Sequence, residues 1–222
     1  MAYAHRNRQR YLDWAGGVAA SPFDTCDMME WAVITAHTPF SVSIVGFEAT
    51  RGVSDVVEYA TKLQVAGVLA AGNKAARCLR GRELLQAGAV PLPSHDYREW
   101  RRTYKLPGLG LCKASFFACL VAPLDADIVC LDTHMLQALT GGMPTAREVR
   151  RIYGNRADYE YWESVLVLEA DAVGLPAFPY QWAVWDHQRA RVRHVPPTDH
   201  SFLWPGGASQ HQLPLFTHLE AV

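Results

Sequence analysis

The residues best suited to chemistry crowd into the middle of the chain. Leu106-Pro107-Gly108-Leu109-Gly110 sets two glycines around one apolar residue and runs directly into Leu111-Cys112-Lys113. Such a turn lets the backbone reverse sharply while Leu109 plugs the space between two helices. The free N–H groups and positive dipole end of the helix that follows then form a seat for a phosphate. Arg98, Arg101, Arg102 and Lys105 just upstream would add positive charge on the same side. By itself the pattern fits an ordinary packing corner equally well. Beyond it, the apolar run Ile128-Val129-Cys130-Leu131 ends in Asp132-Thr133-His134. Asp132 reads either as the N-cap of a helix from Thr133 to Leu139 or as a carboxylate placed for catalysis. His134 either faces the same cleft or is hydrogen-bonded at the helix start.

Elements that position these groups are expected to be mostly helical, because between residues 23 and 193 apolar residues recur at three- and four-residue spacing and strand-like alternation is rare. A first helix spans Asp24 to Thr35, capped by Asp24 or Thr25, and Ser41 to Glu48 is a β-branched apolar run that fits either secondary structure. Val53 to Leu63 follows with Ser54 as cap, then Gly72 to Leu85, and a short basic helix from Asp96 to Tyr104 capped by Ser94. The hairpin helix runs from Leu111 to Val121, Thr145 and Glu148 form a capping box before Tyr153, and Asp158 to Val173 stops at Gly174. An aromatic-rich last helix covers Tyr180 to Gln188. Residues 1–22 read as an N-terminal extension, 23–193 as the helical domain and 194–222 as an irregular tail rich in proline, glycine and histidine.

Composition narrows the class. Half of the 222 residues are hydrophobic, so a sizeable core is expected, and a net charge of −1 rules against coating nucleic acid by bulk charge while leaving room for a local basic face. The five cysteines lack any CxxC pair, which argues against a structural zinc site or a disulfide framework and for a reducing cytoplasm. No apolar run reaches the roughly 20 residues needed to cross a bilayer, so no membrane partner is expected. Asp186-His187 with His194 and His200 matches no metal-ligand spacing, so no metal is expected either.

At this point the chain resembles a known family. Leu106-Pro107-Gly108-Leu109-Gly110, Lys113-Ala114-Ser115 and Leu131-Asp132-Thr133-His134 are similar to the hairpin and aspartate loop of the helix-hairpin-helix (HhH-GPD) DNA glycosylase superfamily, which includes endonuclease III and the 8-oxoguanine glycosylases. Ala114-Ser115-Phe116-Phe117 with Leu131-Asp132 stands nearest to the archaeal 8-oxoguanine branch. The resemblance implies a mostly α, two-lobed fold whose cleft accepts a base flipped out of double-stranded DNA. It implies that Leu106, Gly108, Leu109 and Gly110, with Lys105, Arg102 and His134, meet the DNA, and that Asp132 is catalytic. A monomer near the nucleoid is the implied setting. No cysteine follows Cys130, so an iron–sulfur cluster of the endonuclease III kind is excluded and no cofactor is expected.

One departure bears on mechanism. Family members that also cleave the strand keep a nucleophilic lysine two residues after the second glycine, where this chain has Cys112, with Lys113 one residue later. One residue along a helix turns the side chain by about 100 degrees. Lys113 therefore inherits the amine role only if the turn is longer, and Cys112 reads as either a thiolate nucleophile or an inert buried thiol. The expected activity is a DNA N-glycosylase that hydrolyses the bond to a damaged or modified base using Asp132. The alternatives are a glycosylase with lyase activity through Lys113, or a glycosylase-like protein, of the kind phages carry, that binds DNA or supports base modification. The base recognised is not legible.

Overall fold

The computed structural model describes residues 1–193. Its elements are α1 (Ala2–Arg6), α2 (Arg8–Ala19), α3 (Thr25–Ile34), α4 (Phe40–Thr50), α5 (Val56–Val65), α6 (Ala71–Gln86), α7 (Tyr97–Thr103), α8 (Leu111–Val121), α9 (Thr133–Thr140), α10 (Ala146–Gly154), α11 (Arg156–Ala172) and α12 (Ala177–Arg193), with no strand among the described residues. The tail expected over 194–222, with His194 and His200, lies outside the described residues.

Short polar side chains cap six of these helices. Asp24 accepts the Asp27 N–H at 2.9 Å while Asp27 accepts the Asp24 N–H, closing a capping box, and Thr145 with Glu148 does the same for α10. Two caps differ from expectation. Asp55 rather than Ser54 starts α5, and Asp96 rather than Ser94 starts α7, each carboxylate accepting an N–H three residues on at 2.8 Å. A carboxylate also gains from the helix dipole, which a hydroxyl does not. The ambiguous run at Ser41 becomes α4, whose buried face is Ser43, Gly46, Phe47 and Thr50. Ser43 and Thr50 return their hydroxyls to carbonyls one turn back, so a half-polar face can be buried.

The helices pack as two groups. Helices α3 to α6 pack on one another, while α1, α2 and α7 to α12 form a second group around α12, and α3 against α8 joins the two. The first 22 residues, expected as an extension, belong to the second group. Tyr11, Trp14, Ala15 and Val18 lie at i, i+3, i+4 and i+7 of α2 and are buried. Tyr11 donates to the buried Asp186 at 2.8 Å, and Arg8 donates to the Gly174 carbonyl at 2.8 Å. The chain start thus closes over the end of the helical body. The partner that buries this apolar stripe is α12, more than 150 residues on, so nothing local to α2 announces its burial.

Candidate active site

A turn over residues 104–110 joins α7 to α8, and its two glycines are used for different reasons. Gly108 has φ +84°, which a side chain tolerates poorly, and a Cβ there would stand 3.0 Å from Arg77 of α6 and 3.4 Å from Val33 of α3. The turn is thereby pressed onto the junction between the two helix groups. Gly110 is the N-cap of α8 and offers no side chain to its first turn, which leaves those amides without a side-chain cap at the edge of an open groove that Gly110 and Leu111 border. That groove, of about 380 Å³, is walled by Lys105, Gly110, Leu111, Tyr153 and Arg156. Leu106 and Leu109 are buried in the core, so any contact they make with a partner runs through their backbone.

Of the α7 arginines only Arg101 borders this groove, and the charge of all three is paired with carboxylates of α11. Arg101 is buried and grips Glu163 of α11 at 2.7 and 3.1 Å, with Ser115 of α8 also bonded to its guanidinium. Arg98 reaches the same buried carboxylate at 3.0 Å, and Arg102 pairs with Glu160 at 2.6 Å. Their charge is spent on α11, across about 60 residues of chain, and the result is a rigid seat for α8. Lys105 turns its ammonium to the Arg101 carbonyl at 3.0 Å.

Asp132 caps α9. Its Oδ1 accepts the His134 and Met135 N–H groups at 2.9 and 3.0 Å, so the second oxygen, Oδ2, takes no part in the cap. The extended run before it has no neighbouring strand, and side chains supply its hydrogen bonds instead. Gln181 of α12 accepts the Cys130 N–H at 2.6 Å, the Tyr159 hydroxyl accepts that of Leu131 at 3.1 Å, and Tyr153 donates to the Leu131 carbonyl at 2.6 Å. Three helices therefore hold the carboxylate in place. Burial, the largest cause, pushes the Asp132 carboxyl above its ordinary value, and the Met135 N–H, His134 and the Lys113 charge pull it back.

Cys112 and Lys113 diverge as the helical rotation demands. Lys113 swings toward α3, donating to the Thr35 hydroxyl at 2.9 Å with its ammonium 5.0 Å from the Phe116 ring centre. Cys112 turns the other way, its Sγ 3.1 Å from that of Cys130 and 3.6 Å from the Leu131 carbonyl. The Cys130 hydrogen bond, then Lys113, bring the Cys112 thiol below its ordinary value against burial. His134 is partly buried, bonded to Gln137 at 3.2 Å and edge-on to Trp185 at 5.6 Å. Among the aromatics of α11 and α12, Tyr159, Tyr180 and Trp182 are core, whereas Trp185 is only half-buried beside Phe40 at 5.9 Å.

One residue of the site was not singled out from the sequence. Lys74 of α6 is buried and donates to the Ile34 and Ala36 carbonyls at 2.7 and 2.6 Å and to the Thr38 hydroxyl at 2.6 Å. It caps the C-terminus of α3, satisfying carbonyls that the helix leaves open. Burial, and then the Lys113 charge, lower its ammonium to about 8. The loop it clamps carries Thr35, the partner of Lys113, and His37, held at φ +55°. No local signal marks it, because it shares the buried face of α6 with Ala75, Cys78 and Gly81 and the carbonyls it caps lie 40 and 38 residues earlier.

No family sequence model and no curated protein sequence matches the chain. Among solved structures, the arrangement of its helices is that of an all-helical DNA glycosylase. The crystal structure of the 8-oxoguanine DNA glycosylase of Thermotoga maritima matches it with a TM-score of 0.67, covering 88% of this chain and 94% of that one at 18% sequence identity. The two-lobed helical expectation thus stands as a fold, and no described helix is long and apolar enough to cross a membrane.

Proposed function

We propose that this protein is a DNA N-glycosylase that takes a damaged or modified base out of duplex DNA and hydrolyses its bond to deoxyribose. The observation that carries the reading is Asp132: a partly buried carboxylate, fixed by its cap through one oxygen and holding the other outside it, on the segment that follows α8 and on the fold of a glycosylase. Positive charge develops on the sugar as the glycosidic bond stretches, and a pre-positioned carboxylate stabilises it and orients the attacking water. The first-turn amides of α8 with Lys105 and Arg156 take the phosphates, and the half-buried Trp185 with Phe40 and His134 offers an aromatic wall to a flipped base.

The orientation of Lys113 supports a hydrolytic rather than a lyase mechanism, since its amine is directed to Thr35 and Cys112 holds the position where strand-cleaving members keep their nucleophile. Labelled duplexes carrying 8-oxoguanine and other altered bases, incubated with the protein and then treated with alkali, test the reading. Base loss that needs alkali is expected, and Asp132→Asn should lower its rate about a hundredfold or more. Tight duplex binding without base loss on any substrate would overturn it.

A second reading is favoured by one observation: the Lys113 ammonium ends on the Thr35 hydroxyl at 2.9 Å, a neutral partner that leaves its charge to act on Asp132. It makes Lys113 an amine nucleophile with Asp132 beside it. Borohydride decides, because only a Schiff base between lysine and sugar leaves a covalent protein–DNA adduct.

A further inference from the structure

Two thiols lie beside the segment that carries Asp132, and the hydrolytic mechanism uses neither. Cys112 is the second residue of α8 and partly buried, Cys130 is buried in the run before Asp132, and their sulfurs are 3.1 Å apart. To bond at about 2.0 Å the sulfurs need approach by only about 1 Å, within reach of side-chain rotation. We propose that Cys112 and Cys130 form a site of oxidative modification, at which a peroxide converts the pair to a disulfide that ties the first turn of α8 to the Asp132 segment.

The surroundings sort the two thiols into roles. Cys112 is brought below its ordinary value by the hydrogen bond from Cys130 and by Lys113, while that same bond and burial push Cys130 well above its own. The other three cysteines are pushed up, Cys78 to about 12, and Cys119 is engaged with the Ile128 carbonyl at 3.2 Å. Cys112 is therefore the thiolate that meets the oxidant first. Its sulfur attacks one peroxide oxygen, the O–O bond breaks, and the departing hydroxide takes a proton to leave as water, giving a sulfenic acid. Cys130 then loses its proton and attacks that sulfur, the S–O bond breaks, and the hydroxide leaves with the proton as a second water. Two thiols and one hydrogen peroxide become one disulfide and two waters.

Asp132 would feel the bond directly, because its own N–H donates to the Cys130 carbonyl at 2.8 Å. The proposal stands on sulfur geometry and does not depend on the glycosylase reading.

The test uses the full chain, reduced, exposed to hydrogen peroxide, alkylated and digested. The intact protein is expected to lose the mass of two hydrogens. Trypsin should release residues 106–113 joined to residues 114–147, and a chymotryptic cut between them should assign the link to Cys130 rather than Cys119. Dithiothreitol should separate the peptides. Cys112→Ser should abolish the link, and Cys130→Ser should leave Cys112 as a sulfenic acid that dimedone labels. Cys112 running on to sulfinic or sulfonic acid without a link overturns the proposal, as does a link through Cys119 or no oxidation at all. Mapping of the unmodified sequence alone decides, even if a variant fails to fold.

Discussion

Two sets of basic residues flank the hairpin, and their partners differ in kind. Arg98, Arg101 and Arg102 of α7 end on the carboxylates of Glu160 and Glu163, whereas Lys74 and Lys113 at the junction of the helix groups end on carbonyls and hydroxyls. A carboxylate cancels the charge it pairs with, while a neutral acceptor holds an ammonium in place and leaves its field intact. The first set fastens the scaffold, while in the second Lys74 holds the end of α3 and Lys113 projects its charge toward Asp132. Counting positive residues near a motif cannot separate these cases.

The largest effect should come from breaking the fastener. Glu163→Ala strands two guanidiniums, one of them fully buried, and should lose about 3–5 kcal/mol in a denaturant melt. A loss no greater than that of an exposed pair would mean that the cluster is solvated and that the contrast between the two sets is false. Lys74→Met removes the cap on α3 and should cost about 1–3 kcal/mol through orphaned carbonyls. It should also slow base release by displacing Thr35 and Lys113, measurable in single-turnover assays beside the melt.

Asp132→Asn separates stability from chemistry. Asparagine caps a helix as well as aspartate does. The Asp132 carboxyl titrates higher when folded, so its stabilising contribution is present below the ordinary value of 3.8 and is lost as pH rises through the folded value. At neutral pH the protein therefore carries an ionised group at a cost that asparagine lacks. Asp132→Asn should melt at the same or a slightly higher temperature at pH 7, with the gain vanishing in acid and activity lost throughout. A clear destabilisation at neutral pH would make Asp132 a structural cap.

The smallest effects test the DNA side. Arg102→Ala, on an exposed and solvent-screened pair, should leave the melting temperature nearly unchanged and the salt dependence of duplex binding unchanged. Lys113→Ala should reduce that salt slope by about 0.9 if its charge meets one phosphate. Equal slopes for both variants would erase the distinction drawn between the two sets.

Much of the site was legible because its signals are local. The caps at Asp24, Asp132 and Thr145, the glycine turn at Gly108 and the opposed directions of Cys112 and Lys113 each follow from residues within one or two helical turns. The α7 arginines were misplaced because their partners, Glu160 and Glu163, lie about 60 residues on and nothing local to α7 points to them. The chain start was misjudged because the burial of Tyr11 and Trp14 depends on α12, at the opposite end of the sequence.

What the sequence by itself determined is the helical register, the hairpin and the capping place of Asp132, since backbone hydrogen bonds over three or four residues are decided by the residues that make them. Tertiary structure alone decided which cations are cancelled, that Lys74 lies beneath α3, and that Cys112 meets Cys130 beside Asp132. Those outcomes rest on the distance between side chains far apart in sequence, and charge and thiol chemistry change with a few ångströms of separation.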